Sequence, residues 1–198
     1  MTRTEFIRLC KPPRQAGLGL ILLVLMALPS ARNALEASMA RHMLLQFPLL
    51  LCGGALLAAG IPQRLRQALA CWNAYGISGL LASALVLAVL MVPRALDLAL
   101  VNPGIEAAKC AVLVLAGGAL RLSWRPAGLL VQAFFLGNVL PMTAVVGQLY
   151  IDSPTRICNA YLLDDQALLG QWLVWLALAV AVGWLAQVAW VMVRKENS

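Results

Sequence analysis

Apolar residues arrive in long, almost uncharged runs, with the charges gathered between them. The runs cover 17–31, 38–61, 72–92, 105–122, 128–150 and 167–193. Most approach or exceed the roughly 20 residues that carry a helix across a bilayer. The first run follows a basic start and is short, like a signal peptide. Pro29 and Ala31 do not form the A-x-A cleavage pattern, so it reads as a retained helix. Proline punctuates the pattern. Pro12-Pro13 should stop any helix ahead of the first run, Pro48 should kink the second, and Pro141 should break the fifth. Pro93-Arg94 through Asn102-Pro103-Gly104 reads as a loop, and Ser123 to Pro126 as a tight return. The pattern predicts an all-α integral membrane protein, a bundle of about six transmembrane helices forming one domain over 1–198.

Composition agrees. The chain is 62% hydrophobic and 12% charged, with mean hydropathy +0.85. That charge fraction is about half the usual 25% of a soluble domain. A net charge of +7 raises nucleic acid as a partner, but the basic residues are scattered through short loops, where topology explains them. Membrane lipid is the expected surrounding, and no nucleic-acid partner is expected. Gly53-Gly54 and Gly117-Gly118 lie inside apolar runs, where they favour close helix approach over phosphate binding. No Walker loop, GxSxG or HExxH occurs and no nucleophile–base pair is visible, so an enzyme is not expected.

Candidate chemistry gathers at one rim. The only histidine, His42, opens the second run, and Met39, His42 and Met43 stand at i, i+3 and i+4 on one helix face. Thioether–imidazole–thioether suits a soft metal such as Cu(I). A structural reading stands beside it, with His42 as a polar cap and the methionines as packing. Asp164, Asp165 and Gln166 precede the last run, where acids cap a helix start and meet its dipole. Glu36, Asp97, Glu106 and Asp152 fall on the same rim. His42 is expected near Asp165 or Gln166, either as a clamp between the second and sixth helices or as a metal site with Met39, Met43 and Met142. Glu106 and Lys109, at i, i+3, should face protein, because lipid-facing ions are costly. Five cysteines show no CxxC or zinc spacing. Cys110 and Cys158 fall on the oxidising side and are candidates for a disulfide, with Cys10 and Cys71 on the reducing side. Trp172 and Trp190 fit interface belts.

Two stretches resemble a family. Asp165, Gln166, Gly170 and Trp175 resemble the DQxxGGxxMW of the last helix in CtaG-type cytochrome c oxidase assembly factors, and Met39, His42, Pro48, Leu49 and Leu50 resemble its HMxxH…PxLL helix. Val92-Pro93 through Trp124 gives a weaker match to its third segment. Ser38 stands for the first family histidine, Gln171 for the second glycine, and Glu106 and Lys109 lie near the places of a missing histidine pair. The resemblance implies a non-catalytic accessory factor in a bacterial inner membrane. It would assist oxidase assembly or copper handling, with an oxidase subunit or copper chaperone as partner. It carries over His42, Met39, Asp165 and Gln166 as site residues and copper as the cofactor. A small subunit of a respiratory membrane complex is an alternative. So is a small-solute transporter with Gln132, Asn138 and Gln148 along its path.

Six spans put both termini on one side. Ten of the 15 Lys and Arg residues then lie on the terminal side and five on the other. The positive-inside rule places both termini in the cytoplasm. A reporter fused at Ser198 should be active in its cytoplasmic form. Activity only in its periplasmic form would overturn the arrangement.

Overall fold

The computed structural model describes residues 11–196, and every element in that range is helical. In chain order these are α1 (Pro12–Ala27), α2 (Pro29–Glu36), α3 (Met39–Gly60), α4 (Gln63–Trp72), α5 (Ile77–Leu90), α6 (Pro93–Val101), α7 (Pro103–Trp124), α8 (Gly128–Asp152) and α9 (Leu163–Glu196). Arg3 and Arg8, two of the ten basic residues on the terminal side, lie outside the described residues, as do Cys10 and Ser198.

Three of these helices are long and apolar enough to cross a membrane: Met39–Gly60, Gly128–Asp152 and Leu163–Arg194. The number rises to five if each of two bent pairs is one span, α1 with α2 at 73° and α4 with Ala74–Leu90 at 67°. The expected six is therefore not reached on length and composition. Helix α7, the fourth expected span, has the length (22 residues) but carries Glu106, Lys109 and Arg121 and packs between α3 and α5. Helix α1 lies outside α3, and α8 packs on both α5 and α9.

Pro93, Pro103 and Pro141 act differently from the expectation, and the segment ahead of Pro12-Pro13, where a helix was expected to stop, lies outside the described residues. Pro12 and Pro13 begin α1, because the first turn of a helix has no use for their missing N–H groups. Pro29 likewise opens α2, after Leu28 turns extended (ψ 135°) and breaks the first run. Pro93 and Pro103 open α6 and α7, so the supposed loop between them is a helix. The Asn102 side chain caps α7, accepting from the amides of Gly104 (2.8 Å) and Ile105 (3.4 Å). Helix α8 runs unbroken through Pro141. In α3 the turn ahead of Pro48 widens into a π-helix, His42–Gln46. Pro48 cannot donate to the carbonyl four residues back, and the ladder there is slack enough to take the wider turn.

Glycine sets the helix contacts, as the sequence suggested. A methyl group on Gly54 would overlap the Val114 carbonyl, and one on Gly117 would overlap that of Leu51, so α3 and α7 touch backbone to backbone. Gly147 and Gly170 bring α8 and α9 together in the same way. Small residues permit this approach, and van der Waals packing then holds helices that the lipid does not push together. The bend between α4 and α5 uses two left-handed residues in succession, Tyr75 (φ 54°) and Gly76 (φ 70°). Gly76 is required there, since a Cβ would strike the Ser123 carbonyl.

The main core gathers Met39, Met43, Phe47 and Leu50 of α3 with Leu96, Leu113, Tyr150, Leu169 and Leu173. A second cluster, Leu80, Phe135, Val139 and Ala127, seals α5 against α8. Trp172 and Trp190 are exposed at separate levels of α9. Gly117→Leu should overpack the α3–α7 contact and cost about 1–3 kcal/mol or more, read as a lower unfolding midpoint in detergent. Gly137→Ala, where nothing stands within 4 Å, should be neutral or slightly stabilising.

Candidate functional site: a buried charge cluster

One end of the bundle holds a charge cluster sealed from solvent. Its centre is the Lys109 ammonium, on the first turns of α7. Nζ lies 2.6 Å from His42 Nε2, 2.9 Å from Gln46 Oε1 and 2.7 Å from Glu106 Oε2. An ammonium has three N–H groups, and here it meets three acceptors. Glu106 Oε2 takes part as an ion pair, off the direction a hydrogen bond would need. Lys109 and Glu106 are each 3% exposed, His42 0% and Gln46 2%. Glu106 and Lys109 therefore face protein, as expected from the cost of ions in lipid. Phe47 closes the site, its ring 5.9 Å from Nζ and edge-on to His42 at 5.8 Å.

The imidazole tautomer follows from its partners. Tyr161 donates its one hydroxyl proton to the Glu36 carbonyl (2.9 Å), so toward His42 Nδ1 (2.8 Å) it can only accept. Nδ1 therefore carries the hydrogen and Nε2 is the bare nitrogen, which accepts from the ammonium. Burial, and then the acidic groups around it, hold the Tyr161 phenol far above its usual titration range, so it remains a donor. A second ion pair lies beside this centre. Arg32 Nε pairs with Glu36 Oε1 at 2.8 Å, one helical turn apart on α2, and reaches Glu106 Oε1 at 4.0 Å.

Asp165 and Gln166 stand close by with other duties. Asp165 accepts from Ser38 Oγ (2.7 Å) and from the Met39 amide (2.5 Å), capping the start of α3 from the start of α9. Gln166 Oε1 accepts from the Ile157 amide at 2.9 Å, and its Nε2 donates to the Tyr150 carbonyl at 3.2 Å. The second and last membrane helices do meet at this rim, as expected. The joint runs through Ser38 and Met39 rather than through His42, because both imidazole nitrogens already have partners.

The copper implied by the resemblance does not fit this donor set. A cation occupies the lone pair that a metal would need, and Met39 and Met43 pack in the apolar core. Among the described residues no group of three His, Cys, Asp or Glu is placed to hold a metal ion. Met142 is half-buried on α8. The disulfide expectation also fails. Cys110 and Cys158 are both free, the first donating to Glu106 Oε1 (3.3 Å) and the second to the Pro93 carbonyl (3.5 Å). Burial, then the neighbouring Asp97 carboxylate, pushes the Cys158 thiol up to about 12.

The sequence reading missed Tyr161 and Gln46. Gln46 had a signal in its four-residue spacing from His42. Tyr161 had none, since it lies in a loop 119 residues away from its partner. The amides expected along a solute path do not share one. Gln132 donates to the Trp124 carbonyl, Asn138 to that of Phe134 and Gln148 to Asp152. Comparison with family models, with curated proteins and with solved structures finds no match for this chain.

Lys109→Met leaves Glu106 buried without its cation and should cost about 3–5 kcal/mol, read by denaturant or SDS unfolding. The double variant Glu106→Gln/Lys109→Met should recover a large part of that loss. A second prediction concerns the 153–162 loop. Burial pushes the Asp97 carboxyl up, but hydrogen bonds led by the Asn159 amide (3.0 Å) and joined by that of Ala160 (3.2 Å) outweigh it and hold it below the usual carboxylate range. A carboxylate depressed on folding contributes stability above its unfolded value. That stability is lost as pH falls through the folded value. The Asn159 and Ala160 amides should therefore stay protected from exchange at neutral and mildly acidic pH and lose protection only below the usual carboxylate range.

Proposed function

We propose that the chain is a non-catalytic accessory factor of an aerobic oxidase, acting by holding a partner membrane protein and not by carrying copper itself. The observation that supports this reading is the Asp165 cap. The two stretches that carry the family resemblance, 126 residues apart, meet at Asp165 Oδ2 and the Met39 amide. Gly170 of the same signature fits against Gly147, where any side chain would collide. The matching residues thus serve helix joints, Asp165 between α3 and α9 and Gln166 and Gly170 between α9 and α8, and Glu106 and Lys109 lie near the places of the missing histidine pair.

The partner surface is α9 with α8. Only 6% of the apolar stretch of α9 is buried within the chain, against 44% for α3. At 34 residues and 1.5 Å each it is about 50 Å long, longer than the roughly 30 Å hydrocarbon core. A helix so little covered is available to a neighbouring subunit, which also favours the second reading, a structural subunit of the same complex. Counting α7 as a sixth span beside the other five, we place both termini in the cytoplasm of a bacterial inner membrane, on the distribution of Lys and Arg.

A tagged chain solubilised in mild detergent should bring down a subunit of a haem–copper oxidase. Membranes of a strain lacking the chain should lose oxidase activity and regain it on complementation. Full oxidase activity in the deletion strain would overturn the accessory-factor reading. Loss of activity together with stable co-purification of the mature oxidase would favour the structural subunit.

A further inference from the structure

The opposite end of the bundle has a feature that oxidase assembly does not use. Helix α4 buries none of its ten residues. It is bent by 67° from the helix that follows, and Leu65, Leu69 and Trp72 form an exposed apolar stripe at i, i+4 and i+7. A helix of this pattern beside a membrane-spanning helix lies in the interface plane with its apolar stripe toward the acyl chains. A second face, Arg66, Ala70 and Asn73, turns to the end of α7. Asn73 fixes that orientation by donating to Ser123 Oγ (2.9 Å) and accepting from the Gly79 amide (3.0 Å).

Between α4 and the end of α7 lies a cavity of about 920 Å³. Arg66, Arg121 and Arg125 line it together with Leu69, Leu120 and Phe135, and no acid lines it among the described residues. Arg121 donates to Gln15 Oε1 at 2.6 Å, which leaves further N–H groups of its fork. Three guanidinium groups with no lining carboxylate among the described residues call for an anion, and their planar donor pairs match phosphate oxygens. The apolar lining calls for hydrocarbon. A free phosphate satisfies only the first requirement and leaves the apolar side chains of Leu69 and Leu120 uncovered. A single molecule that satisfies both has a phosphodiester head and acyl chains. The geometry points to a binding site for an anionic phospholipid between α4 and the end of α7. Basic pockets at the ends of membrane helices are suited to such headgroups. The lipid would also cover α4, which the chain itself leaves bare.

The test uses the full chain in detergent, equilibrated with an equimolar mixture of phosphatidylglycerol and phosphatidylcholine and examined by native mass spectrometry. The wild-type chain should retain phosphatidylglycerol in preference, and its Tm should rise with phosphatidylglycerol more than with phosphatidylcholine. Arg66→Gln/Arg125→Gln should lose about tenfold or more of that preference. Arg64→Gln, on another face of α4, should keep it. Inorganic phosphate at the lipid concentration should displace nothing. Equal retention of the two lipids by the wild-type chain would overturn the proposal. So would an unchanged preference in the double variant. Displacement by inorganic phosphate would assign the arginines to a free anion and overturn the lipid site.

Discussion

A primary ammonium taken out of water has to find its acceptors inside the protein, and Lys109 does so by drawing three segments around one nitrogen. His42 and Gln46 come from α3, Glu106 from its own helix, and Tyr161 joins through the imidazole from the loop before α9. Removing any one leaves a buried charge or dipole without compensation, which costs several times what an exposed pair contributes. The cluster therefore fixes how α3, α7 and the 153–162 loop meet, and the Asp165 cap on α3 completes the joint. The glycine contacts further along α3 and α7 then follow, because the two helices already share a fixed depth.

The same constraint decides what the histidine does. An imidazole that donates from Nδ1 and accepts at Nε2 has both nitrogens engaged. Hydrogen-bonded to the Lys109 nitrogen it makes a poor metal ligand and a good structural acceptor. The functional reading accordingly moves from metal chemistry toward surfaces. The lightly covered α8–α9 pair offers one surface within the membrane, and the arginine-lined cavity under α4 offers another at the opposite end.

Much of this was legible in the chain, and the failures have physical causes. The second run was placed at 38–61 and forms Met39–Gly60, because a long apolar stretch bounded by Ser38 and Pro62 leaves little freedom. Glu106 and Lys109 were expected to face protein because charge in lipid is costly, and they do. Glycine pairs inside apolar runs gave close helix contacts. The prolines misled, because the same residue stops a helix in its middle and starts one at its first turn. Only the chain's hydrogen-bond context distinguishes the two, as at Pro93 and Pro103. The partners of His42 misled as well. Depth along neighbouring helices suggested Asp165, but rotation about the helix axis selects the partner, and the π-turn at His42–Gln46 resets that rotation. No local pattern records it, and Tyr161 reaches His42 from a loop.

The single histidine makes the central claim directly measurable. Nitrogen-15 NMR of the chain labelled at histidine reports one residue without assignment ambiguity. The account predicts a neutral ring at neutral pH with hydrogen on Nδ1 and a bare Nε2, unaltered by added Cu(I) or Zn(II). An imidazolium, a ring protonated at Nε2, or a resonance that moves on adding stoichiometric metal would contradict it.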